Sequence, residues 1–156
     1  MQGKLKNKMS PKWHILSGFI AAIFLIYFFG LSFLAGTAVF ASSFLIDIDH
    51  YFLYVFKKKN FNIRNSIKWN FKKREEYRKL SKVEKRKFKH NFVVFHGIEF
   101  IIVLVALSFI NKLFTWILIG SLIHLIMDYA EGIYFKEPIY PKVSQIYLFY
   151  KKCSNK

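Results

Sequence analysis

The sequence is short of cysteine, proline and acidic residues, and over long stretches it lacks charge altogether. A single cysteine, Cys153, excludes an intrachain disulfide and leaves no CxxC pair for zinc or redox chemistry. Three prolines and seven glycines, with no Pro-rich or Ser-rich linker, argue against a string of flexibly joined domains, and 156 residues are enough for one. No internal repeat is visible. There is no HExxH to hold a protease zinc, no GxSxG to present a serine nucleophile, and no glycine-rich loop to cradle phosphates.

What the chain has instead is apolar sequence kept apart from charge. It is 54% hydrophobic and 20% aromatic, more than a soluble domain of this size needs. The 34 positions between Lys12 and Asp47 carry no formal charge, nor do the 15 between Lys112 and Asp128. Between Lys89 and Lys112 the one acid is Glu99. About 20 apolar residues span a bilayer core of roughly 30 Å, and little amphipathic sequence remains to cover such helices inside a soluble fold. The run that follows Lys4, Lys6, Lys8 and Lys12 is more than twice the roughly 7–15 residues of a signal-peptide core, so it is expected to persist as membrane sequence.

These features predict an all-α, polytopic membrane protein with about four short transmembrane helices in a single domain, 1–156. The expected helices are 13–29, 32–48, 92–110 and 113–131, with a basic cytoplasmic loop over 51–91 and a cytoplasmic tail over 132–156. The stretch 13–46 would be roughly 50 Å long as one helix, too long for one span. Gly30 and Gly36, with Ser32 between them, offer the turn that divides it. Trp13 suits an interfacial position at the start. In the loop, Trp69, Phe71, Tyr77, Leu80, Val83 and Phe88 are spaced loosely like one helix face. They suggest a basic amphipathic helix on the headgroups, with a solvated loop as the alternative. Pro138 and Pro141 break helices in the tail.

Charge sets the expected orientation. Fifteen Lys and Arg lie between Lys57 and Lys89, against Glu75, Glu76 and Glu84. With four helices crossing, 24 of the 25 basic residues fall on one side and Lys112 alone on the other. Basic loops stay cytoplasmic, so both termini and the loop are expected there, in a multi-pass cell (inner) membrane protein. The formal charge of +16 then points to anionic lipid headgroups as partners rather than to nucleic acid.

Up-down-up-down threading gathers the intramembrane ionisable residues at that same face. His14 starts the first helix, and Asp47, Asp49 and His50 end the second. His96 and Glu99 lie near the start of the third, and His124 and Asp128 near the end of the fourth. His96 and Glu99 (i, i+3) share a helix face, as do His124 and Asp128 (i, i+4). Ionisable groups inside a membrane cost a few kcal/mol each and are normally paired or functional. Mixed imidazole and carboxylate donors suit a divalent metal ion such as Zn or Mn. The expected ligands are His14, Asp47, His50, His96, His124 and Asp128. Glu99 or Asp49 is the spare carboxylate for general-base catalysis. His90 reads as solvated among its lysines, and Glu131, one turn beyond Asp128, as exposed, with a place behind the ligands as the alternative. Ser42, Ser43 and Ser121 read as small residues for helix packing.

His14 in WHILSG, the DxDH of Asp47–His50 and the HxxxD of His124–Asp128 resemble the YdjM-type membrane-bound metal-dependent hydrolase family. The likeness covers roughly 13–55 and 92–131. Many members carry a segment like HRGxTHS before the third helix; here His90 to Gly97 has neither that arginine nor that threonine, and His96 takes the place of the second histidine. The resemblance implies a bound metal and a hydrolase at the membrane. Beside a phospholipid or other phosphoester hydrolase stand two alternatives. One is a non-enzymatic metal-binding or transport protein. The other is a membrane scaffold that recruits an anionic partner through its basic loop.

Overall fold

The computed structural model describes residues 11–88, 91–138 and 143–154. His90, Pro141 and the lysines at 4, 6 and 8 lie outside the described residues. Helix α1 runs Pro11–Phe29 and begins on a proline, where the missing N–H has no intrahelical bond to lose. It ends at Gly30, whose φ of 64° favours a residue without a Cβ. Ser32 then accepts from the Ala35 N–H and starts α2, Phe33–Leu45. After a turn at Ile46–Asp47 the chain continues as α3, Ile48–Lys58.

Asn62 caps α4, Ile63–Lys79, and a capping box of Ser81 and Glu84 opens the short α5, Lys82–Lys87. A 3-10 turn, Val94–His96, leads into α6, Ile98–Ser108. Asn111 caps α7, Lys112–Tyr134, and α8 spans Gln145–Ser154. All the regular structure among the described residues is helical.

Three stretches are long and apolar enough to cross a membrane: Lys12–Phe29, Phe33–Lys58 and Lys112–Tyr134. The protein is an all-α membrane protein. Helix α2 lies between α1 and α7, and α6 packs on α7. The distribution of side chains is that of a lipid-solvated bundle. Phe19, Ile20, Ile23 and Phe24 of α1 face outward, whereas Ser43, Ser121, His124 and Asp128 are buried.

Small residues allow this close approach. A Cβ on Gly18 would fall on the Ser43 side chain, and one on Gly120 would meet the Ser42 side chain and the Val39 carbonyl. Both helices therefore press against α2 at points where no side chain intervenes. The seams carry the ligand candidates with them. Gly18 is four residues after His14, Gly120 four before His124, and Ser43 four before Asp47. One helix turn thus separates each tight contact from each polar side chain.

The structure differs from the sequence expectations in three places. The second helix does not end at 48 but continues through the turn at Ile46–Asp47 to Lys58, because Asp47, Asp49 and His50 have partners inside the bundle. The third is shorter than 92–110: α6 has 11 residues, about 16 Å, and cannot cross a core of roughly 30 Å alone. The segment 51–91 is largely helical. It is thus not the solvated loop of the alternative, and its α4 docks on α3 through the Tyr54–Trp69 ring contact and on Glu131 of α7 through two arginines.

Candidate metal centre

The polar side chains converge from the turn between α2 and α3, from the 3-10 turn before α6, and from α1 and α7. Two groups have donor atoms that all lie within 4.8 Å of one another: His14, His124 and Asp128, and Asp47, His50 and His96. They form one continuous cluster. Around Asp47 Oδ1 stand His96 Nε2 at 3.3 Å, and His50 Nε2 and His124 Nε2 at 3.7 Å each. Asp128 lies 3.7 Å from His14 Nε2 and 3.9 Å from both His96 Nε2 and His124 Nε2. The His14 and His124 rings stack with centroids 4.3 Å apart.

The far side of two imidazoles is tied down. His96 Nδ1 lies 3.0 Å from Asp49 Oδ2, and His124 Nδ1 lies 2.8 Å from the Ser43 carbonyl oxygen. That carbonyl can only accept, so His124 carries its proton on Nδ1 and turns the Nε2 lone pair into the cluster. There His124 Nε2 is buried with no hydrogen-bond partner, as is His14 Nδ1. An unsatisfied buried nitrogen normally costs about 1–3 kcal/mol. Most of the separations exceed a hydrogen bond. They are close to the edge of a coordination shell, since two nitrogens on one tetrahedral zinc stand about 3.3 Å apart. The chemistry and the orphaned nitrogen therefore fit a divalent ion.

Asp49 stands behind this layer. Its Oδ2 accepts from the Phe95 N–H at 3.1 Å as well as facing His96, so it orients the ring, while its Oδ1 is buried without a hydrogen-bond partner. Glu99 is engaged elsewhere. Its carboxylate accepts from the Ser144 hydroxyl (2.5 Å) and from the Gln145 and Ile146 N–H groups (3.1 and 3.0 Å), at the head of α8. Three donors at a helix N-terminus stabilise that carboxylate without any metal. The structure thus brings together six of the eight expected residues, sets Asp49 one layer back, and gives Glu99 to the tail.

A second polar group was not legible. Glu131, expected to be exposed, is 1% exposed and lies between Arg78 Nη2 at 2.7 Å and Arg74 Nη1 at 3.2 Å. Arg78 also donates from Nε to Glu137 at 3.1 Å and stacks on the Phe135 ring. Burial opposes the charge on Arg74, but Glu131, Asp128 and Asp47 outweigh it and hold its pKa above the ordinary value. The i, i+3 spacing of Asp128 and Glu131 was the available signal. The partners were hidden among fifteen basic residues of similar context.

A family model described as "YdjM inner membrane protein" matches residues 9–152. The chain belongs to the YdjM family. The match runs through α1 to α8 and includes every residue of the cluster. Comparison of this YdjM chain with curated proteins and with solved structures found no match. The His/Asp cluster thus lies within a family of inner membrane proteins, and its chemistry is argued from its geometry alone.

Proposed function

We propose that this YdjM-family protein is a membrane-bound, metal-dependent hydrolase whose divalent ion, Zn or Mn, is held by His14, Asp47, His50, His96, His124 and Asp128. The observation that carries this is the buried His124 Nε2, aimed into the cluster by its Nδ1–Ser43 bond and left without a hydrogen-bond partner. The donors comprise two sets of two imidazoles and one carboxylate, enough for one ion or for two about 3.5–4 Å apart. A bound ion of this kind supplies Lewis acidity, lowering the pKa of a coordinated water and polarising a substrate oxygen. Asp49 orients His96 and raises its basicity as a ligand. His14, His124 and Asp128 are buried, whereas the Asp47 and His50 side chains are each 33% exposed, so substrate reaches the cluster from their side.

Orientation and substrate belong to the same proposal. The basic α4 and α5 lie on the cytoplasmic side with both termini, the 3-10 turn and α6 together making the third passage through the membrane. Exposed Arg64, Lys68, Lys72 and Lys73 attract anionic headgroups, each worth about 1 kcal/mol near such a surface. A phospholipid or another phosphoester at that leaflet is the substrate class.

Elemental analysis of the detergent-purified protein beside a His124→Ala/Asp128→Ala variant is the test. A near-stoichiometric or higher content of transition metal, lost in the variant, is expected. Metal absent from both, even after reconstitution with Zn and Mn, would remove the hydrolase reading in favour of a scaffold.

A further inference from the structure

We propose that Arg74 forms an anion subsite at the mouth of the cluster and receives a phosphoryl oxygen of the substrate. This rests on the metal-dependent reading and adds to it the group that the substrate presents.

Arg74 and Arg78 sit one turn apart on α4 and both reach Glu131, but they are used differently. Arg78 spends Nη2 on Glu131 and Nε on Glu137, lies over the Phe135 ring and is 17% exposed, so it is bound into the scaffold. Arg74 touches Glu131 through Nη1 alone, and its side chain is 36% exposed. A guanidinium has five N–H donors in a planar fork. Nη1 of Arg74 is anchored on Glu131, and its Nε and Nη2 make no hydrogen bond among the described residues.

Position decides what they face. Glu131 is about one turn beyond Asp128 on α7, so the Arg74 guanidinium bound to Glu131 is tied to the same helix one turn from the Asp128 ligand. Arg74 feels Asp128 and Asp47, and in turn acts on His50. Asp47 and His50, each 33% exposed, are the cluster's exposed side, and the part-exposed Arg74 held on Glu131 is the cation that the proposal puts at that opening. Arg78 bonds Glu137 and both arginines bond Glu131, so the four charges balance and Arg74 offers an anion its remaining N–H donors rather than an unmatched charge. Arg74 thus completes a pairing suited to a phosphoryl group, with a cation cluster on one side and a planar fork on the other. The same chemistry is offered by a lipid phosphate headgroup and by free phosphate.

The experiment uses full-length protein in nanodiscs, reconstituted with Zn. It measures inorganic phosphate binding by calorimetry, phosphatidic acid binding in nanodiscs containing that lipid, and metal content on the same samples. Arg74→Gln is expected to keep its metal and to bind phosphate about tenfold to a hundredfold more weakly. Arg78→Lys is expected to lower thermal stability while leaving phosphate affinity in place. Phosphatidic acid binding that falls with Arg74→Gln assigns the subsite to a lipid headgroup. A loss confined to free phosphate assigns it to a soluble anion. Should Arg74→Gln fail to fold, Arg74→Lys keeps the charge beside Glu131 but not the fork, and weaker binding is again expected. Phosphate affinity unchanged in a folded Arg74 variant would overturn the proposal. Metal content reads the proposed centre separately: wild type without metal that still binds phosphate through Arg74 keeps the subsite and removes the centre.

Discussion

At the scale of single residues, the cluster is defined as much by what faces away from it as by what faces in. An imidazole between two carboxylates is common in soluble proteins, where water satisfies whatever is left over. Here His124 is fully buried, its Nδ1 is fixed on the Ser43 carbonyl, and its Nε2 has no hydrogen-bond partner. Asp49 does for His96 what that carbonyl does for His124. Asp49→Asn is therefore expected to weaken metal binding by about 10–100-fold without unfolding the protein, measured by competition with a chromogenic chelator. Wild-type affinity in that variant would show that the ring needs no orienting partner.

At the scale of elements, the site is placed by close helix packing and by one short turn. Gly18 and Gly120 bring α1 and α7 against α2, and His14 and His124 follow one turn away on the same seams. The turn at Ile46–Asp47 lets the α2–α3 segment present Asp47, Asp49 and His50 together. Glu99 belongs to a different junction. It holds the start of α8 to α6, helped by Gln145, whose side-chain oxygen accepts from the Val93 N–H at 3.1 Å. Glu99→Gln is expected to speed proteolysis and hydrogen exchange of Gln145–Ser154, since hydrogen bonds to a charged acceptor contribute roughly 1.5–3 kcal/mol. Its metal content should equal that of wild type. Loss of metal would instead return Glu99 to the centre.

At the scale of the whole molecule, polarity is asymmetric along the bundle. The far ends of the bundle carry exposed aromatic and aliphatic residues such as Tyr27, Phe33 and Phe109, while the cluster, the Arg/Glu network and α4 share the other end. The single cysteine lies in α8 on that end's tail and is exposed, so it reports orientation without engineering. Under the proposed topology Cys153 resists a membrane-impermeant maleimide in intact spheroplasts and reacts after permeabilisation. Labelling of intact spheroplasts would reverse the orientation and put the site on the opposite leaflet.

The sequence by itself determined the class and the inventory. Uncharged runs of this length in a strongly basic chain point to apolar helices in lipid, because a helix satisfies its own backbone there and about 20 apolar residues span the core. The rarity of His and Asp in such helices marked His14, Asp47, His50, His96, His124 and Asp128 before any contact was known. Only the tertiary structure decided how each was used. Whether a carboxylate meets a metal site, a histidine or a helix N-terminus depends on which residues distant in sequence stand beside it. Glu99 and Ser144 are 45 positions apart, and Arg74 and Glu131 are 57. Periodicity reports the face a side chain occupies on its own helix, not the helix that face meets.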